Sequence, residues 1–263
     1  MGHLLIERQD KVLRVTLNRP EIGNAFNGEL IAELTALFGG GNDAGVRADA
    51  SVHVIVLAAA GKHFCAGADL AWMKQTASFG KVENAADAKR LAGLFEAVDS
   101  CPKPVVGRIH GAARGGGVGV VAAMDIPVAS ESASFALTEV RLGLAPAVIS
   151  PFVVRKIGVP RARELFITGE PFGAKEALAW GLVNHVVPDD ELDAKVDERV
   201  KLVLLGGPIA LAACKDLART VTRLPDDEAQ VKTANLIAEL RASPEAQEGM
   251  RAFLMKDTPK WVK

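Results

Sequence analysis

Three features of this chain combine residue types and spacings that could do chemistry. Two are glycine-bearing segments, His63-Phe64-Cys65-Ala66-Gly67-Ala68-Asp69-Leu70 and His110-Gly111-Ala112-Ala113-Arg114-Gly115-Gly116-Gly117-Val118-Gly119. Each follows an apolar run that reads as a buried strand, and each opens a helix-like stretch whose first backbone N–H groups have no partner within the helix. Two such N–H groups converging on one point make a hole for a developing oxyanion, and small residues let a carbonyl approach the backbone. The third feature is Glu139, in Ala133-Ser134-Phe135-Ala136-Leu137-Thr138-Glu139-Val140-Arg141-Leu142-Gly143. Its neighbours Phe135, Leu137, Val140 and Leu142 imply partial burial, which raises a carboxylate pKa and makes it a better proton carrier near neutral pH. The plainer alternatives are an ordinary strand-to-helix turn capped by Asp69, and a surface or helix-start charge at Glu139.

The elements that must position these residues are legible as periodicities. Leu4–Arg8 and Val12–Leu17 alternate like paired strands joined at Gln9-Asp10-Lys11. Asn27 is placed to cap a helix with apolar Leu30, Ile31, Leu34, Leu37 and Phe38, and Gly39-Gly40-Gly41 to stop it. Val52-His53-Val54-Ile55-Val56-Leu57 and Pro104-Val105-Val106-Gly107-Arg108-Ile109 are the strands before the two loops. Between them lie a mobile-looking stretch, Gln75 to Glu83, and a helix over Ala85–Ser100. Short strands follow at Ile126–Ala129 and Ser134–Leu137. Strand, strand, helix is the repeating order, not the simple alternation of a doubly wound sheet. From Val159 the signal is almost wholly helical: Pro160–Thr168, Ala174–Trp180, Asp189–Leu205, Ile209–Val221, Asp226–Leu240 and Pro244–Leu254. The division is a core over 1–188 and a helical C-terminal region over 189–263, with Gly206-Gly207-Pro208 as a linker.

The 263 residues are 49% hydrophobic and 24% charged, enough for one large core. A formal net charge of −1 gives no electrostatic case for nucleic acid or an anionic membrane as partner, and the chain has no tyrosine for base stacking. Cys65, Cys101 and Cys214 are too few and scattered for a disulfide framework or a zinc site, and no histidine, cysteine and aspartate spacing supports a metal. No secretion signal is visible at the N-terminus, and no apolar run approaches the roughly 20 residues of a membrane span. A cytoplasmic protein is expected.

Gly117-Val118-Gly119-Val120-Val121-Ala122 also fits the dinucleotide fingerprint G-x-G-x-x-A, with Glu139 near the expected acidic position. His110 to Arg114 separate these glycines from the strand, however, where that fingerprint needs a tight turn. Pro127 then falls in a short strand where a full helix is required. His53 and His185 read as structural, His63 and His110 flank the loops without a case for catalysis, and Asp125 reads as a cap. No serine lies in a Gly-x-Ser-x-Gly elbow.

Taken together, the two loops and the carboxylate resemble the crotonase family, the enoyl-CoA hydratase/isomerase superfamily, over most of the chain. The resemblance implies an α/β fold, a spiral of ββα turns with a helical C-terminal region, assembling as a homotrimer or a dimer of trimers. It implies an acyl-coenzyme A thioester as substrate and no separate cofactor. It assigns the oxyanion N–H groups to Ala68 and Gly116, catalysis to Glu139, and ligand contacts to Ala66, Ala68, Asp69, Leu70 and Gly116. Family hydratases commonly carry two glutamates; the first falls here on Gly119, which the same resemblance counts as a substrate contact. That glycine, and the residues around Glu139, are similar to bacterial methylglutaconyl-CoA hydratase-like members, and Gly119 is expected to leave room for a branched or carboxylated acyl chain. Hydration of a 2-enoyl thioester is the leading activity; Δ3,Δ2-enoyl isomerisation and acyl-CoA binding with weak turnover are the alternatives.

Overall fold

The computed structural model describes residues 2–39 and 45–262. Alternation in β2 (Val12–Leu17) buries Leu13, Val15 and Leu17 and leaves the other face half-exposed, while β1 (Leu4–Gln9) pairs with it antiparallel as an exposed edge. β3 (Val54–Ala59) does not alternate, because both its faces are covered: Ile55 and Leu57 enter the main core, and Val54 and Val56 enter a second one. Parallel pairing then adds β4 (Val105–Ile109), β6 (Ile126–Ser130) and β9 (His185–Val187), giving a six-stranded sheet in the order β1-β2-β3-β4-β6-β9. A three-stranded sheet of β5 (Ala112–Arg114), β7 (Ser134–Ala136) and β8 (Phe172–Gly173) has β7 at its centre.

The chain winds between these sheets as a spiral. One turn runs β4, β5, α4 (Gly116–Ala123); the next runs β6, β7 and, through a 3-10 turn, α5 (Ser150–Thr168). Each turn therefore contributes one strand to each sheet, as the ββα reading requires. Fully buried Phe26, Phe38, Phe64, Phe95 and Phe135 fill the main core. α7 (Leu192–Leu204) covers the other face of the large sheet with Leu192, Val196, Val200 and Val203.

Asn27 caps α1 (Gly28–Leu37) by accepting from the Leu30 amide at 2.9 Å. Gly39 follows the helix with φ 74°; the expected stops Gly40 and Gly41 lie outside the described residues. The stretch 75–83 spans the end of α2 (Leu70–Thr76), a non-helical connection over 77–80 and the start of α3 (Lys81–Asp99). α3 starts earlier than the apolar spacing indicated because the Glu83 carboxylate accepts from the Gly80 amide at 2.8 Å, closing the first turn. α5 is two helical stretches broken at Gly158 (φ 74°, ψ 162°): the second is the expected helix from Pro160 to Thr168, and the first, from Ser150, is additional to the sequence reading. β5 and β8 went unseen because two or three residues carry no periodicity.

α6 (Ala174–Ala179) leads to β9, after which the described elements are helical: α7, α8 (Pro208–Thr220), α9 (Asp226–Ala242) and α10 (Pro244–Leu254). α8 is fastened by Lys215, whose Nζ donates to Asp125 at 2.7 Å and to the Val98 and Lys103 carbonyls. Burial pushes the Asp125 carboxyl up even against the Lys215 charge. Among the described residues, no helix is long and apolar enough to cross a membrane.

The corner between β4 and β5 turns at Gly111 (φ 58°), where a Cβ would run into the Lys62 carbonyl. Gly111→Ala combines a left-handed backbone with that overlap and is expected to cost about 2–5 kcal/mol. Thermal unfolding measures it; an unchanged midpoint would show that residues 62 and 111 can separate freely.

Candidate active site

The first glycine segment is held from one side by residues 19–26. Asn24, fully buried with φ 57°, donates to the Ala60 and His63 carbonyls, both at 2.8 Å, and accepts from the Arg19 amide. Arg19 reaches the Ala25 carbonyl at 2.7 Å and Asp69 at 2.8 Å. The chain is then pinned residue by residue: Ala66 N–H donates to Gly23, Phe26 N–H to Gly67, and Asp69 N–H to Phe26. With the Gly67 carbonyl and the Asp69 N–H both aimed at Phe26, the extended residue between them points its own N–H to the opposite side. That residue is Ala68. Among the described residues nothing accepts from its N–H.

On that opposite side lies the second segment. Cys65 bridges Ala113 in parallel register, with Cys65 N–H on the Ala112 carbonyl at 3.0 Å and Arg114 N–H on the Cys65 carbonyl at 2.9 Å. Beyond Arg114 the backbone turns sharply at Gly115 (φ 47°, ψ −114°) and starts α4 at Gly116. The Gly116 N–H is a first-turn donor and finds no acceptor among the described residues. The glycines are needed for close approach: a Cβ on Gly116 would stand 3.0 Å from the Phe26 ring, and one on Gly117 would stand 2.8 Å from Cys65 Cβ. The two segments thus lie against each other, and Ala68 and Gly116 offer unpaired N–H groups at their junction.

Glu139 arrives at this junction through the small sheet. Arg114 pairs with Ala136, so Gly115 and the 3-10 turn over Glu139–Leu142 leave neighbouring strands at the same level. The carboxylate lies over Gly115, where a Cβ would be 3.0 Å from Oε1. Oε2 is buried and has no hydrogen-bond partner among the described residues. Burial pushes the carboxyl above its usual value, with its own amide acting weakly against the shift. Of its apolar neighbours in sequence, Phe135 and Leu137 are fully buried, whereas Val140 and Leu142 are exposed.

Other sequence candidates sit as follows. Ala66, Ala68 and Leu70 face solvent at the rim of the first segment, Leu70 with 75% of its surface exposed. The Asp69 side chain caps α2, accepting from the Ala71 and Trp72 amides, and pairs with Arg19. Burial would raise its pKa, but the Arg19 hydrogen bond and the two amides outweigh it and hold the carboxyl below its usual value. His63 Nδ1 takes the Ala112 N–H, and the His110 ring lies between the Gly61 carbonyl and Arg108. The Cys65 thiol is pushed up to about 12 by complete burial and is no nucleophile. A polar cleft of about 430 Å3 at the ends of β3, β4 and β6 is lined by Arg108, His110, Ser130 and Asp189. Its charges are met from within the chain, Arg108 by Asp193 and Asp189 by Ser132. Phe26, Arg19 and Asn24 are site-building residues that the sequence reading missed, since nothing in their spacing tied them to the loops.

Comparison with known proteins agrees with this layout. The family model described as enoyl-CoA hydratase/isomerase matches residues 7–263. The chain belongs to this family, within the crotonase superfamily. An enoyl-CoA hydratase of Alternaria alternata is 36% identical over 94% of this chain and 79% of its own. The carnitinyl-CoA dehydratase of Escherichia coli K12 is 34% identical, covering 98% and 97% of the two chains. In structure, a Legionella pneumophila protein of the enoyl-CoA hydratase/isomerase (crotonase) type superposes with a TM-score of 0.90 at 44% identity, covering 99% of both chains. An enzyme of the enoyl-CoA hydratase/isomerase family takes an acyl-CoA thioester as its class of substrate.

At Gly119 the sequence expectation is corrected. The space beside Gly119 is not open. A Cβ there would overlap Ile149 Cγ2 and stand 3.0 Å from both Ile149 Cβ and Phe95 Cε1. Ile149 and Phe95 are themselves buried. The missing side chain has been replaced by apolar packing.

The raised pKa of Glu139 makes a stability prediction whose sign is fixed. Unfolded, the carboxyl ionises near 4.5; folded, it ionises higher, so the stability it contributes is complete below 4.5 and is lost as pH rises through the folded value. Glu139→Gln carries no such loss. The difference in melting temperature, variant minus wild type, should therefore grow more positive from pH 4 to pH 8. A flat difference would mean that the carboxylate is solvated.

Proposed function

We propose that the protein hydrates 2-enoyl-CoA thioesters, with the Ala68 and Gly116 N–H groups binding the thioester oxygen and Glu139 as the single acid/base. The observation that carries this reading is the buried Oε2 of Glu139, unpartnered among the described residues, on a carboxylate laid over Gly115, next in sequence to one of two backbone N–H groups that find no acceptor among those residues. In the forward direction the Glu139 carboxylate takes a proton from water as the water oxygen bonds to Cβ. The Cα–Cβ π pair moves toward the carbonyl, and the resulting enolate oxygen is held by the two N–H groups. The same proton then passes from Glu139 to Cα, which regenerates the carboxylate and completes addition of one water. The raised pKa suits a group that must first accept and then give a proton near neutral pH.

Ala66 and Leu70 at the exposed rim are placed to contact the coenzyme A portion, with Asp69 holding the rim in shape through Arg19. No separate cofactor is required by this chemistry. For the acyl group, the residues around Glu139 favour a branched, dicarboxylic thioester of the methylglutaconyl type as the first to test. We also infer association into trimers or pairs of trimers. α9 buries none of its side chains, and Val231, Ile237, Phe253 and Leu254 of the C-terminal helices are exposed.

One observation favours a second reading. A lone carboxylate, with Gly119 packed by Ile149, is sufficient to move a proton between C2 and C4, which makes Δ3,Δ2-isomerisation the rival activity. A panel of 2-enoyl and 3-enoyl thioesters in H2(18)O separates the two. Incorporation of label into a 3-hydroxyacyl product, abolished by Glu139→Gln with acyl-CoA affinity kept, is expected. Conversion of 3-enoyl thioesters without label would make it an isomerase instead.

Deleting one oxyanion donor should cost about 10²–10³ in kcat. Gly116→Pro is the direct variant, because proline is tolerated at the first position of a helix and removes only the N–H there. Its ring must fit beside Phe26, so Ala68→Pro on the exposed rim is the paired control. Near-normal turnover in both, with folding intact, would remove the oxyanion role from these residues.

A further inference from the structure

The contact between residues 64–65 and β5 departs from a regular ladder at one place. Cys65 donates to the Ala112 carbonyl and accepts from the Arg114 amide, the exchange expected of parallel strands. Two residues back along the chain, the same pattern would put the Ala112 N–H on the His63 carbonyl. That carbonyl is instead turned away to the Asn24 side-chain amide at 2.8 Å. The chain slips by one residue, and the Phe64 N–H reaches the His110 carbonyl at 3.1 Å. The Ala112 N–H would be left without an acceptor. The His63 imidazole supplies one, with Nδ1 accepting from Ala112 at 3.3 Å.

A backbone N–H can only donate, so Nδ1 of His63 carries no proton and the neutral ring holds its hydrogen on Nε2. The ring is half-buried and lies against Gly23, where a Cβ would be 3.5 Å from Cδ2. Burial first, then the charges of Lys62 on the same segment, Arg114 on β5 and His110 at the corner, pushes its pKa down. His110 has the same tautomer: Nε2 donates to the Gly61 carbonyl at 2.8 Å, and Nδ1 accepts from Arg108 at 3.1 Å. Each ring thus ties the approach to the first glycine segment to the approach to the second, and each needs an unprotonated Nδ1.

We propose that His63 is a positioning residue for the oxyanion donors: by accepting from Ala112 it holds the first glycine segment in register with β5, and so fixes the Ala68 and Gly116 N–H groups relative to each other. Protonation of Nδ1 removes the acceptor and sets a second positive charge near Arg114. The inference rests on the oxyanion reading of Ala68 and Gly116, but not on whether Glu139 serves hydration or isomerisation. The sign of the pH effect follows from the lowered pKa. His63 is neutral at neutral pH, and its bond is lost as pH falls through a value below 6.5. Glu139 must be ionised to take a proton, so its protonation also removes activity on the acid side.

The test compares the full chain with two variants. His63→Ala has no acceptor, whereas His63→Asn places Oδ1 where Nδ1 stands and cannot titrate. On the panel of 2-enoyl and 3-enoyl thioesters, kcat should fall about 10- to 100-fold in His63→Ala, the cost of a small misplacement in a catalytic array. His63→Asn should recover most of that loss. The acid-side fall of kcat/KM should be steeper in wild type than in His63→Asn, which keeps only the Glu139 titration. Nitrogen-15 spectra without substrate, at pH 8, should show an unprotonated Nδ1. The Ala68 and Gly116 amide shifts should move in His63→Ala and return in His63→Asn. A kcat within twofold of wild type in folded His63→Ala, an equal loss in His63→Asn, or a proton on Nδ1 would overturn the proposal. Wild type that turns over no enoyl-CoA would defeat the proposed function instead. The spectra would then decide the role of His63: moved Ala68 and Gly116 shifts keep it, and unmoved ones reject it.

Discussion

The site depends on the pairing of two backbone segments that are distant in sequence. Residues 64–65 lie along β5 through hydrogen bonds to the His110 and Ala112 carbonyls and from the Arg114 amide. This short parallel contact fixes the relative height of the two glycine turns, and every later feature of the site is referred to it. Once Cys65 is opposite Ala113, Gly67 faces Arg114 and Gly117 faces Cys65. The buried Asn24 side chain and the Phe26 backbone clamp the first segment from behind. Side-chain donors would have to be ordered at an entropic cost for each rotamer; backbone donors held in this way are already ordered by the fold.

The same frame explains how a carboxylate can be kept partly desolvated. β7 runs beside β5, so the residues that follow each strand meet, and Glu139 is laid over the one turn with no side chain to displace it. Its Oε2 gains nothing from the protein. Leaving a buried acceptor unpaired costs about 1–3 kcal/mol, and a charged one more. Desolvation by burial is what raises the proton affinity of this group.

At Gly119 the interior shows how the space beside a helical glycine is filled. A glycine inside a helix leaves a void unless a neighbour fills it, and cavities are destabilising in proportion to their volume. Here Ile149 and Phe95 supply the atoms.

Much of this was legible in the residues themselves. The strands, the cap at Asn27, the two glycine turns and Glu139 follow from local rules, because periodicity, small residues and capping groups act within a few positions of each other. The ββα order was equally local. Tertiary structure decided what depends on contacts across the spiral. The early start of the helix over Lys81–Asp99 needed a cap that apolar spacing does not report. Asp69, which the sequence offered equally as a ligand contact or as a cap, caps α2 because Arg19, fifty residues earlier, folds back on it. Of the four apolar neighbours that pointed to burial of Glu139, Phe135 and Leu137 are buried but Val140 and Leu142 are exposed, since burial is set by packing across strands and not by adjacency. Gly119 suggested open space by its own lack of a side chain; whether that space is empty depended on Ile149, thirty residues away, and close packing of the interior filled it.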